Sequence, residues 1–305
     1  MLEPPAPLRP VYPAYFADPF VMEHGGVYYA YGTGSGVTPG RVFEVLRSVD
    51  LLAWQSLGGA LEPPGVEGHT FWAPEVAFFD GRFYMYYSVG LEDKGHKIRV
   101  AVCTQPQGPF VDQGVELTPQ LGFAIDGSPF RDADGQWYLF YARDFLEGER
   151  VGTALEVDRL VGMTRLAGQQ RTVLRASGDW QIFLRQRPIY GGVYDWHTLE
   201  GPFVVRRGGL YYCFYSGGNW QNLTYGVSYA VAEHPLGPWV EPYQGAVVLQ
   251  TLPGRLIGPG HNSVVLGPDG NHYIVFHAWD AGLVSRRMHV ALLEWTPEGP
   301  RARLE

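Results

Sequence analysis

The chain has 305 residues, 46% hydrophobic and 18% charged, enough apolar material for a large buried core, and nothing in it has the composition of a disordered tail. A formal net charge of −8 without a run of Lys and Arg excludes a phosphate-binding groove for nucleic acid, which needs clustered cations. No stretch approaches the roughly 18 consecutive apolar residues of a membrane span, so a small neutral or polar ligand is the expected partner.

The first ten residues, MLEPPAPLRP, lack an apolar signal core, which makes the cytoplasm the expected location. From Ala17 one phrase then recurs along the chain. ADPFVMEHGGVYYAYGTG is followed by WAPEVAFFDGRFYMYYSVG, IDGSPFRDADGQWYLFYARD, EGPFVVRRGGLYYCFYSGG and GHNSVVLGPDGNHYIVFHAWD. Each copy joins two β-rich runs through a Gly, Asp-Gly or Gly-Gly turn, the pattern of a hairpin. A further alternating stretch follows, as in HKIRVAVCTQPQGPFV and YGVSYAVAEHPLGPWV, so a unit holds about four strands. Cys103 and Cys213 fall inside such runs and read as small buried strand residues, not as a disulfide pair.

Repetition of this kind, with no helical periodicity of consequence, predicts a single all-β domain. The expected fold is a five-bladed β-propeller of four-stranded antiparallel blades, at about 11–62, 69–117, 123–176, 190–248 and 257–300. A β-sandwich would leave the polar residue at the start of each unit unexplained. In a propeller the first strand of each blade lines the axis, so Asp18, Trp72 with Glu75, Asp126, Glu200 and His261 are expected to converge. Paired carboxyl groups suit glycoside hydrolysis, in which one protonates the departing oxygen and the other acts on the opposite face. A third nearby carboxylate opposes ionisation of the acid and keeps it protonated.

ADPF, WAPEV, IDGSPF, EGPF and GPGHNSVV, in this order, resemble the successive blade openings of glycoside hydrolase family 43, over about Tyr12 to Trp295. The resemblance implies that Asp18 is the general base activating water, that Asp126 tunes and orients the acid, and that Glu200 is the general acid. It implies inversion at the anomeric carbon, with base and acid roughly 6.5–9.5 Å apart. It places His261 beneath the sugar, beside a central water cluster or a calcium ion held through water, with no cofactor required. Arg286 aligns with an arginine that binds a sugar hydroxyl, and strand alternation sets Arg286 and Met288 on the face opposite Arg287. Trp72 is expected to wall the first sugar subsite, and Glu75 to be structural.

Two departures from the family pattern stand out: Gly127 where proline is common, expected to loosen the turn that aims Asp126, and Ser285 where glycine is usual. Tyr194, Asp195, Trp196 and His197 ahead of Glu200, and Asn219 with Trp220, are expected to border the pocket. The RDADG stretch around Asp132 and Asp134 reads as a hairpin turn and not as an ion loop. The function implied is an inverting glycosidase removing terminal α-L-arabinofuranosyl or β-D-xylosyl groups from plant cell-wall-derived saccharides. The alternatives are an endo-1,5-α-L-arabinanase, a non-catalytic carbohydrate-binding propeller, and a retaining fructoside-cleaving enzyme.

Overall fold

The computed structural model describes residues 7–35, 38–65 and 68–304. Within them the Tyr-, Phe- and Val-rich runs form β-strands, and the one helical element is a 3-10 turn at Asp179–Gln181. Strands β1–β4 are Ala17–His24, Val27–Ser35, Val42–Ser48 and Gln55–Glu62, and β5–β8 are His69–Phe79, Arg82–Leu91, Lys94–Cys103 and Phe110–Glu116. Next come β9–β13 at Ala124–Arg131, Trp137–Phe145, Gly152–Val161, Arg165–Leu166 and Arg171–Leu174. They are followed by β14–β17 at Ile182–Ile189, Gly192–Arg207, Leu210–Gly217 and Gly226–Ala232, and by β18–β21 at Ile257–Leu266, His272–Trp279, Arg286–Thr296 and Gly299–Arg303.

Consecutive strands pair antiparallel, as short Gly turns require. Two brief parallel bridges, Leu61 and Glu62 with Phe110 and Val111, and Gly152 and Thr153 with His197 and Thr198, link neighbouring groups. They produce curled sheets of 8, 9 and 4 strands. The innermost strands touch in sequence: β1 packs on β5, β5 on β9, β9 on β15, β15 on β18, and β18 back on β1.

Hydrophobic burial follows the same circuit. Phe43, Leu61 and Phe110 belong to a core between the first and second strand groups, and Tyr86, Ile98 and Leu139 to one between the second and third. Phe140, Leu199 and Tyr215 fill the next, and Phe214, Leu256 and Ile274 the one after. A last core closes the circuit by packing Phe16, Val21 and Tyr28 against Val265, Val275 and Met288. The chain ends are also tied there through the backbone, Phe16 N–H donating to Arg286 O at 2.9 Å and Val11 N–H to Met288 O at 2.9 Å.

All five innermost strands carry a β-bulge at the same level, where two residues oppose one on the neighbouring strand. The bulge pairs are Asp18-Pro19, Ala73-Pro74, Asp126-Gly127, Gly201-Pro202 and His261-Asn262. The first member of each has left-handed backbone, with φ of 50°, 48°, 60°, 56° and 48°. For the four that are not glycine this conformation costs about 1–2 kcal/mol each.

Each strained residue is held by its own N–H. Asp18 N–H donates to His277 Nδ1 at 3.0 Å, Ala73 to Thr33 Oγ1 at 2.8 Å, Asp126 to Ser88 Oγ at 3.0 Å, and His261 to Ser216 Oγ at 2.7 Å. The acceptor comes each time from the second strand of the preceding group. In the third group that position is Ala142, and Gly201 N–H donates instead to Asp126 Oδ2 at 2.8 Å.

Three sequence expectations change. Glu75 lies two residues beyond its bulge residue, Ala73, so it is not the counterpart of Asp18, and Glu200 precedes its bulge residue by one. Cys103 is half-exposed, whereas Cys213 is buried as expected. Tyr194 to His197 and Glu200 lie on one strand, because β15 runs unbroken for 16 residues.

Replacing Thr33 by the isosteric valine leaves the Ala73 N–H without an acceptor, and should lower unfolding stability by about 1–3 kcal/mol. Thermal and urea unfolding report the change, and an unaltered midpoint would show that the hydroxyl does not hold the bulge.

Candidate active site

Because an extra residue turns the strand, the bulges aim side chains from separate strands toward one end of the axis. Asp18, Trp72, Ile125, Asp126, Glu200 and His261 line a single cavity of about 240 Å³, with Tyr15, Thr33, Trp220 and Arg286. The six residues singled out from sequence, Asp18, Trp72, Asp126, Glu200, His261 and Arg286, are therefore together. Strand alternation sends Arg286 inward, 9% exposed, while Arg287 turns to Asp280 at 3.5 Å.

Asp18 is surrounded by nitrogen. Its Oδ1 lies 3.2 Å from Arg286 Nη1, 3.3 Å from His277 Nδ1 and 3.5 Å from His261 Nδ1. Burial pushes the carboxyl up, but the Arg286 guanidinium, then His261 and His277, outweigh it and hold Asp18 well below the usual carboxylate range. All three contacts fall on Oδ1, so Oδ2 is the oxygen with a free lone pair for a water proton. Burial lowers both histidines, His277 to about 4, and they are neutral near pH 7.

Glu200 sits in the opposite environment. Burial raises its carboxyl to about 7, the Asp18 charge adds to the rise, and a hydrogen bond from Tyr225 Oη to Oε1 at 2.6 Å works against it. Asp126 is pushed well above its ordinary value by burial, then by the charges of Glu200 and Asp18, against the Gly201 N–H it accepts. Through that bond Asp126 grips the residue next to Glu200, so it acts on the backbone that carries Glu200.

Aromatic faces wall the cavity. Trp72 stacks on His96 with ring centroids 3.6 Å apart, and the Arg286 guanidinium lies over Trp220 at 4.5 Å while Nη2 donates to Tyr15 Oη at 2.7 Å. A flat ring offers the C–H face of a sugar an apolar surface, and a fixed guanidinium offers its hydroxyls charged donors.

Several expectations about the surroundings are corrected. Tyr194, Asp195 and His197 line a different hollow with Arg185, and Trp196 is buried in packing at 1% exposure. Trp220 does border the cavity, but Asn219 turns away and donates to Phe183 O at 2.9 Å. A Cβ at Gly127 would lie 2.9 Å from Ile98 Cγ2, so the position is one of close packing. Ser285 closes the turn before Arg286, its carbonyl accepting Asp280 N–H at 3.0 Å. The RDADG segment is a hairpin turn, Gly135 N–H donating to Asp132 O at 2.9 Å.

Calcium takes six to eight oxygen ligands. His261 offers nitrogen, with Nδ1 facing Asp18, and among the described residues no group of three or more His, Cys, Asp or Glu side chains is arranged to hold a metal. The donor set around His261 does not fit a directly bound calcium ion.

Sequence reasoning missed Tyr15, Thr33, Tyr225 and His277. Thr33 and His277 had a signal, since Thr33, Ser88, Ser216 and His277 all occur near the end of the aromatic run in the repeated phrase. Tyr225 opens the YGVSYAV stretch at the place His96 holds in HKIRVAV, but nothing in that repeat relates it to Glu200.

The sequence matches the profile of Glycosyl hydrolases family 43 over residues 7–300. It is 28% identical to a β-D-galactofuranosidase of Aspergillus niger, covering 88% of this chain and 75% of that protein. It is 27% identical to an extracellular exo-α-(1→5)-L-arabinofuranosidase of Cellvibrio japonicus, covering 92% and 84%. Among solved structures, a thermostable family-43 glycoside hydrolase superimposes with a TM-score of 0.82 at 32% identity, over 94% of this chain and 92% of that one. With a match that runs through every bulged strand, the chain belongs to glycosyl hydrolases family 43.

Proposed function

We propose that the protein is an inverting glycosidase that removes a terminal α-L-arabinofuranosyl or β-D-xylosyl group, with Asp18 as general base, Glu200 as general acid and Asp126 as the residue that positions the acid. The scaffold is read as a five-bladed propeller, a count favoured by the five bulged inner strands and the five cores between strand groups. The observation that carries the chemistry is the meeting of two carboxyl groups in one cavity in unlike surroundings, Asp18 against the Arg286 guanidinium, which favours its ionised form, and Glu200 buried against a phenol hydroxyl, which raises it to about 7. Trp72, Trp220 and Arg286 hold the sugar, and a cavity of about 240 Å³ suits one ring better than a run of several, which favours exo action.

In the reaction, Asp18 takes a proton from water as the water oxygen bonds to the anomeric carbon. The bond from that carbon to the departing oxygen breaks, and Glu200 supplies the proton the oxygen needs. Exchange with solvent then returns a proton to Glu200 and removes one from Asp18. The exo-arabinofuranosidase relative supports the arabinosyl choice, and the galactofuranosidase relative supports a furanose ring.

Asp18→Asn and Glu200→Gln should each reduce turnover of nitrophenyl pentosides by roughly 10²–10⁴-fold, with circular dichroism unchanged. The loss in Glu200→Gln should shrink as the leaving group becomes more acidic. Wild-type rates in both variants would overturn the site, and proton NMR of the first-formed anomer tests inversion.

The pH profile of kcat/KM should fall above about pH 7 as Glu200 loses its proton, and its acid limb should lie below the usual carboxylate range because Asp18 stays ionised. Arg286 lowers the Asp18 carboxyl, so Arg286→Ala should move the acid limb to higher pH. An acid limb that stays in place would separate Arg286 from the base.

A further inference from the structure

Five equivalent positions immediately precede the bulge residues: Ala17, Trp72, Ile125, Glu200 and Gly260. Four carry side chains, and the fifth is bare. A Cβ on Gly260 would lie 2.0 Å from Cε1 of Tyr225, so the missing side chain makes room for that ring. The ring is 1% exposed, and it lies parallel to the His277 imidazole at 5.8 Å between centroids and 9° between planes. The two rings touch the two opposed carboxyl residues: Tyr225 Oη donates to Glu200 Oε1 at 2.6 Å, and His277 Nδ1 accepts the Asp18 N–H at 3.0 Å.

We propose that Tyr225 is a positioning residue that decides which oxygen of Glu200 carries the transferable proton. Its O–H donates to Oε1 and makes that oxygen an acceptor, so the proton of the neutral acid resides on Oε2. Burial and the neighbouring Glu200 hold the phenol well above its ordinary range, so Tyr225 keeps its own proton throughout the cycle. In the reaction the proton leaves Oε2 for the departing oxygen, and the Tyr225 hydrogen bond then stabilises the carboxylate left behind. The parallel stack on His277 fixes the direction of the phenol and ties it to the residue that holds Asp18 in its strained backbone.

This inference rests on Glu200 being the acid, and Glu200→Gln tests that separately. Tyr225→Phe keeps the ring, the stack and the packing and removes only the donor. It should move the alkaline limb of kcat/KM up by about one pH unit, because the carboxylate loses a stabilising hydrogen bond. It should also lower kcat roughly 10–100-fold on the unactivated pentose disaccharide but less than about threefold on the 4-nitrophenyl pentoside, since only the poor leaving group needs a well-placed proton. Thermal unfolding of the variant should stay within a few degrees of wild type.

An alkaline limb that does not move, or equal losses on both substrates, would overturn the proposal, as would a Tyr225→Phe protein that fails to fold. Each of those results assigns Tyr225 to the scaffold. Near-wild-type activity in Glu200→Gln would remove the acid assignment itself, whatever Tyr225→Phe does.

Discussion

The hydrogen bond from each bulge N–H to a side chain of the preceding strand group is the constraint on which the rest of the structure depends. A left-handed residue in the middle of a strand is strained, and its N–H has left the ladder that would have satisfied it. Thr33, Ser88, Ser216 and His277 accept those N–H groups across the boundary between groups. The same bonds therefore satisfy the bulge, hold neighbouring inner strands at a fixed offset and set the direction of the side chain that follows from the strained backbone. The one group without such an acceptor has Ala142 there, and the carboxyl group of Asp126 takes its place through Oδ2. That substitution connects the scaffold to the chemistry, since the N–H it holds belongs to the residue after Glu200.

The electrostatic contrast between the carboxyl groups follows from what each bulge brings near. Asp18 faces the Arg286 guanidinium at 3.2 Å, so its negative charge is compensated even though it is buried. Glu200 has one hydroxyl donor and no cation in contact, so burial dominates and favours its neutral form. Two chemically similar side chains are thus biased toward opposite protonation states in one cavity lined by indole and phenol rings. His277 contributes as a neutral acceptor of the Asp18 N–H, and burial keeps both imidazoles below their ordinary range.

Strain and burial are balanced over the circuit. Four non-glycine residues in left-handed backbone cost several kcal/mol together. The cores between strand groups, filled by residues such as Tyr31, Phe43, Tyr86, Phe140 and Phe276, surround the axis and leave the inner strands no room to straighten. The closure from the last group to the first repeats the same packing with Phe16, Val21 and Val275 and adds the Asp18 to His277 bond, so Asp18 is positioned by the joint between the first and last strand groups.

The amino-acid sequence by itself determined the hairpins, through aromatic runs broken by Gly turns, and the polar residues that recur at the start of each copy. It also set Arg286 and Arg287 on opposite faces, because alternation along a strand is local, whereas the contact of Arg286 with Asp18 came from the closed fold. Recurrence of Asp18, Asp126, Glu200 and His261 at nearly equivalent places was enough to nominate them. Tertiary structure decided what spacing cannot express: that Glu75 lies off the bulge, that Glu200 sits one residue before it, and that Tyr194 through His197 belong to another face. It alone brought Tyr225 to Glu200 through the space left by Gly260, and His277 to Asp18 across 259 residues. Turn chemistry and alternation are properties of neighbours along the chain, whereas the bulge register and the pairing of remote side chains exist only once the strands have closed on one another.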